Sequence, residues 1–118
     1  MLEVAQEGWG VLFFALLIGH AFGDYAFQTQ FISKAKCPSF WANSGKWNWL
    51  PVLLAHSLIH SGMVWVVTGV STLALLELVL HALIDKLKCD RRYGFMTDQV
   101  LHVACKAGYV IGIVFLVD

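Results

Sequence analysis

The sequence predicts an all-α integral membrane protein: a single transmembrane helical domain over residues 1–118, built as a bundle of four transmembrane helices. Three observations predict it. Of 118 residues, 58% are hydrophobic and 14% charged, whereas a water-soluble domain carries about 25% charged residues. The apolar residues gather into four segments, 9–32, 49–69, 73–87 and 95–117. The ionisable residues inside those segments are not scattered but recur four apart: His20 with Asp24, His56 with His60, Glu77 with His81 and Asp85, and Asp98 with His102. A helix turns once in about 3.6 residues, so each set forms one polar stripe on an otherwise apolar rod.

The first segment follows Glu3 and Glu7 with no Lys or Arg before it. A cleavable signal peptide starts with a basic region, so this run is expected to be a retained helix. Trp41, Trp47 and Trp49 suit an aromatic belt where the second helix enters the membrane, and Pro51 falls in its first turn, where proline is tolerated. Residues 69–72 leave only a tight connection, which makes the second and third helices antiparallel neighbours. The third segment is short of the roughly 20 residues that cross a hydrocarbon core unless its flanks extend it, while the other three reach that length. Four crossings are therefore expected.

Charge in the connections supplies an orientation. Lys34, Lys36 and Lys46 lie in the first, and Lys86, Lys88, Arg91 and Arg92, against Asp90, lie in the third. The positive-inside rule puts both on the cytoplasmic side and both termini outside. Neutral net charge and few basic residues argue against a nucleic-acid partner. Cys37, Cys89 and Cys105 show no CxxC or other zinc-ribbon spacing and are read as three unpaired thiols.

With that orientation, and a rise of about 1.5 Å per residue, Asp24, His56, His81 and His102 all fall roughly 10 Å below the cytoplasmic surface, on four different helices. His20, His60 and Glu77 fall one to two turns deeper, and Gln28, Asp85 and Asp98 lie near the cytoplasmic mouth. An ionisable residue within a bilayer costs at least about 2.5 to 3.5 kcal/mol, and serine or threonine would suffice for structural hydrogen bonding. Imidazole and carboxylate repeated across a helix bundle are instead what metal sites use, because neighbouring turns aim their ligands at one point. The candidate ligands are His20, Asp24, His56, His60, His81, Asp85, Asp98 and His102, enough for one or two divalent ions. The absence of cysteine in the column disfavours thiolate chemistry and leaves zinc, manganese or iron, with zinc placed first. Gln28 and Gln99 suit supporting contacts, and Lys106, one turn beyond His102, is expected either to balance negative charge or to snorkel out to an interface. Ser57 and Ser61 have no acid–base partners that would make a serine nucleophile.

The motifs His20-Ala21-Phe22-Gly23-Asp24, Phe27-Gln28-Thr29, Lys36, His56, His81 through Asp85 to Lys88, and Phe95 with Asp98-Gln99-Val100-Leu101-His102 resemble a bacterial family of small membrane proteins, the domain of unknown function numbered 3307. The resemblance covers nearly the whole chain and implies a compact bundle with inward His, Asp and Gln in a bacterial inner membrane. His60 and Glu77 lie outside its pattern. The His/Asp arrangement also looks like that of predicted intramembrane metal-dependent hydrolases, an analogy of pattern.

The first functional reading is a metal-dependent hydrolase. His56, His81, His102 and Asp24 hold the ion, Asp85 or Asp98 acts on a water, and a membrane-embedded or lipid-linked ester, phosphoester or amide is cleaved from the cytoplasmic side. The alternative is a non-enzymatic membrane subunit whose polar core binds a metal or relays protons, as a homo-oligomer or within a larger complex among membrane lipids. A metal-dependent redox protein is a third.

Overall fold

The computed structural model describes residues 8–116, and among these there are helices but no strand. Glu3, Glu7 and Asp118, expected at the outer face, lie outside the described residues. Helix α1 (Trp9–Ala21) contains no proline and continues as one π-helical turn, Phe22–Ala26. There Phe27 N–H reaches the Phe22 carbonyl five residues back, at 2.8 Å. The first apolar run, expected to continue to residue 32, stops here. Gln28 donates its side-chain amide to the Asp24 carbonyl, and Thr29, in extended conformation, accepts from the Ile32 N–H at 3.2 Å. Such a cap starts a new helix in a new direction, and α2 (Gln30–Ala35) follows.

A 3₁₀ turn over Pro38–Trp41 folds back so that the Trp41 indole donates to the Ala35 carbonyl. Helix α3 (Trp49–Thr68) carries Pro51 in its first turn and ends at Gly69, whose φ of 71° is the left-handed conformation that closes helices. One further residue, Val70, leads into α4 (Ser71–Cys89), so the connection is tight, as expected. Helix α5 (Phe95–Leu116) completes the chain.

The four long helices close a ring in which α3 packs along α4, α4 against α5, α5 against α1 and α1 against α3. One end is filled by Leu12, Leu16, Val64, Val67, Tyr109 and Val110. The other end is polar. Among the described residues, more polar and charged side chains than apolar ones are buried, while Phe14, Leu58, Trp65, Leu75, Val79 and Phe115 are among the many large apolar side chains left exposed. That is the inverse of a water-soluble domain and suits an apolar surround.

Among the described residues three helices, not four, are long and apolar enough to cross a membrane: Trp9–Ala26, Trp49–Thr68 and Phe95–Phe115. Helix α4 has 19 residues, but Glu77, Asp85, Lys86 and Lys88 give it too many charges to qualify by composition. The cysteines also differ from expectation: Cys37 and Cys89 form a disulfide across 52 residues, their Cα atoms 5.3 Å apart, and Cys105 alone is free. Sequence spacing detects neighbouring pairs, whereas this pair is made by the return of the α2 segment onto the end of α4.

Candidate metal centre

Each stripe is a local consequence of four-apart spacing, but the rotation of each helix in the ring decides where the stripe points. In α1 the π-helical turn carries Asp24 and Gly23 inward. A Cβ at Gly23 would overlap the His60 imidazole, so the absence of a side chain there is what lets α1 approach α3 this closely. Asp24 Oδ1 lies 2.8 Å from His60 Nε2, 3.2 Å from His56 Nε2 and 3.9 Å from His81 Nε2. Its other oxygen faces His20 Nε2 at 3.3 Å and accepts from the Gln99 amide at 3.1 Å.

Asp85 is the second hub. Its Oδ1 is 3.0 Å from His102 Nε2, and its Oδ2 is 2.8 Å from Lys36 Nζ, 3.3 Å from His81 Nε2 and 3.4 Å from His56 Nε2. Asp98 Oδ1 stands 3.4 Å from His102 Nε2 without a hydrogen bond, and its Oδ2 accepts from Gln99. All five histidines thus turn Nε2 toward carboxylates from three helices, and His56, His81 and His102 are wholly buried. The rings crowd together: His60 and His81 stack at 3.7 Å between centroids, and His81 and His102 at 4.3 Å.

The structure therefore brings His20, Asp24, His56, His60, His81, Asp85, Asp98 and His102 into one cluster. It departs from simple depth counting, which put His20 and His60 well below Asp24. Side chains lean toward the N-terminus of their own helix. Because α1 and α3 run in opposite directions, Asp24 and His60 lean toward each other and meet.

Glu77 lies beyond the cluster. It accepts from Lys106 Nζ at 2.6 Å and from the Tyr109 hydroxyl at 2.7 Å, and its Oε2 faces His81 Nδ1 at 3.4 Å. Lys106 is 1% exposed, so it does not reach out to an interface but sits inside as a counter-charge. Two contributors were not expected at the cluster: Lys36, read as a charge of the first connection and a position of the family resemblance, and Tyr109. Lys36 belongs to a connection far from the stripes, and no local signal ties it to Asp85. Tyr109 continues the α5 stripe of His102 and Lys106 at helical spacing, a signal that was there to be read.

Among the described residues, three groups have ligand atoms within 4.8 Å of one another: Asp24 with His56, His60 and His81; His81 with Asp85 and His102; and Asp24 with Asp98 and His102. Ligands about 2.1 Å from a zinc ion stand roughly 3.4 Å apart in a tetrahedron, and most of the contacts above fall near that separation. His81 Nε2 is buried without a hydrogen-bond partner, between the two aspartate hubs. Charge agrees with the geometry. Written as ionised, Asp24, Glu77, Asp85 and Asp98 carry four negative charges against two buried ammoniums, Lys36 and Lys106, which leaves two without a buried counter-charge, one of them, Asp98, facing the partly exposed Lys88 Nζ at 4.0 Å. A divalent cation matches that difference, and two imidazolium protons would match it equally.

Residues 12–116 match a family described as a protein of unknown function, DUF3307. Comparison with curated proteins and with solved structures finds no match.

Proposed function

From the premise that the chain belongs to the DUF3307 family, a family of unknown function, we propose its activity from the geometry of the cluster: a membrane-embedded, metal-dependent hydrolase. Convergence of five imidazole Nε2 atoms and three aspartates from four helices onto one buried volume carries this reading. In it, α4 crosses the bilayer with the three apolar helices, its Glu77, His81 and Asp85 shielded by the ring. The basic connections face the cytoplasm of a bacterium and both termini face out.

Asp24, His56, His60 and His81 form the richest ligand set and would hold the ion, with His20 and His102 flanking it. A bound divalent ion, zinc before manganese or iron, supplies Lewis acidity and lowers the pKa of water toward neutrality. The two candidate bases separate on their contacts. Asp85 has both oxygens engaged by Lys36 and His102 and acts as a fixed ligand or anchor. Asp98 keeps one buried oxygen without a hydrogen bond, so it is the carboxylate able to orient a water and take its proton. Glu77 faces the outer nitrogen of His81 at 3.4 Å without a hydrogen bond and supplies a negative charge behind that ring. In this reading the substrate is a lipid-linked ester, phosphoester or amide presented from the apolar surround.

The test is elemental analysis of protein purified in mild detergent, followed by turnover of lipid-like ester, phosphoester and amide substrates with and without chelator. Stoichiometric metal and chelator-sensitive cleavage support the hydrolase. A second reading has its own observation: Lys36, Asp85, His102 and Asp98 form a continuous polar chain that two protons would neutralise as well as a metal. Protein without metal, stable to chelator, would be the proton-relaying membrane subunit.

A further inference from the structure

The mouth of the cluster is closed by a residue rather than by solvent. Lys36 is 6% exposed and places its ammonium 2.8 Å from Asp85 Oδ2 and 2.7 Å from Gln28 Oε1. It is a tethered monocation sitting on a carboxylate that one of the possible ligand groups shares. The next residue, Cys37, is bonded to Cys89. Cys89 lies four residues after Asp85 in α4, one turn above it on the same face, and its sulfur is 3.9 Å from the Lys36 carbonyl. The disulfide thus clamps the backbone of Lys36 directly over the acid that its side chain reaches.

The bond also sits between the two basic connections, which the positive-inside rule assigns to the cytoplasm. Thiols there are kept reduced, and disulfides that do form are mostly transient and redox-sensing. Both cysteines are only half-buried, and a shallow open cavity of about 360 Å³, lined by Ser33, Lys34, Cys37, Ser39 and Phe40, gives an attacking thiolate access to the Cys37 side.

We propose that Cys37–Cys89 is a thiol–disulfide exchange site and the latch of the cluster: closed, it holds the Lys36 ammonium on Asp85; opened, it frees Lys36 and exposes Asp85 to an external cation. The reductant is a protein dithiol or glutathione. Its thiolate attacks one sulfur and displaces the other; a second thiolate resolves the mixed disulfide, so that two electrons and two protons leave the donor as it becomes a disulfide and Cys37 and Cys89 become thiols. The consequence for metal rests on the metal reading above, but the movement of Lys36 does not.

The test uses the full chain in mild detergent. Lys36 and its exposed neighbour Lys34 are acylated with an amine-reactive ester and quantified by peptide mass spectrometry, with cysteine alkylation recording the redox state. In the oxidised protein Lys36 should react at least about tenfold more slowly than Lys34, since reaction of a buried amine follows its opening. Reduction should raise the Lys36 rate about tenfold and leave Lys34 unchanged, and Cys37→Ser with Cys89→Ser should reproduce this without reductant. Zinc titration should show tighter binding after reduction, with the difference lost in Lys36→Gln. An unchanged Lys36 rate after verified reduction overturns the latch. So does in-cell alkylation that finds the bond closed under every condition, or both thiols free even after treatment with a thiol oxidant. Protein that binds no zinc in either state overturns the metal reading alone, because the acylation rates still decide the latch.

Discussion

Replacing Lys106 by methionine keeps the length and apolar stem of the side chain and removes only its charge. Lys106 and Glu77 are each 1% exposed and meet at 2.6 Å, so the change leaves a buried carboxylate with the Tyr109 hydroxyl and the weaker His81 contact. Breaking one side of a buried ion pair costs about 3–5 kcal/mol. Glu77→Gln alone strands the ammonium and should cost a similar amount. The double variant removes both charges, and the glutamine carbonyl still accepts from Tyr109, so it should lie within about 1–2 kcal/mol of wild type. The coupling energy is then at least about 4 kcal/mol, above the range that neighbouring residues usually show. Equilibrium unfolding in mixed micelles, on all four proteins, measures it. Additivity within about 0.5 kcal/mol, or a cost below about 1 kcal/mol for Lys106→Met, would show that these groups are not a buried ion pair and would refute the reasoning. A metal titration on the same set adds a functional readout: Glu77→Gln should weaken binding about 10–100-fold through loss of the carboxylate behind His81.

Gly23→Ala should reduce metal content and cost about 1–3 kcal/mol although it removes no ligand, because the new methyl displaces the His60 ring; unaltered binding and stability would argue against the close approach of α1 and α3. Alanine at His56, His81 or His102 should lower both metal content and melting temperature, and chelator should destabilise wild type by about 2.7 kcal/mol where metal had been present at a hundred times its dissociation constant. If His→Gln variants are as stable as wild type and chelator does nothing, the relay reading takes over. Cysteine-accessibility mapping should place both basic connections on the cytoplasmic side; labelling of positions 34–46 from outside would invert the orientation and make the Cys37–Cys89 bond a permanent one.

The all-helical class and the stripes were legible in the sequence because both are local properties. An apolar run of about 20 residues with no internal proline is too long for a strand and the right length for a membrane-crossing helix, and residues four apart on it share a face by helical geometry alone. His20 with Asp24, and Asp98 with His102, needed no fold to be paired. Helix ends were less legible: the π-helical turn at Phe22–Ala26 and the Thr29 cap cut short a run whose apolar composition continues to residue 32. Which stripe meets which was decided only by tertiary packing, since it depends on how each helix is rotated and on the opposite lean of side chains in antiparallel neighbours. That is why His60 reaches Asp24 at 2.8 Å when depth counting separates them, and why Glu77 finds Lys106 and Tyr109 rather than solvent. The contacts of the α2 segment are further still from any periodicity. Lys36 meets Asp85 across 49 residues and Cys37 meets Cys89 across 52, because a short capped helix folds back over the bundle end, a path that no repeat within a single helix encodes.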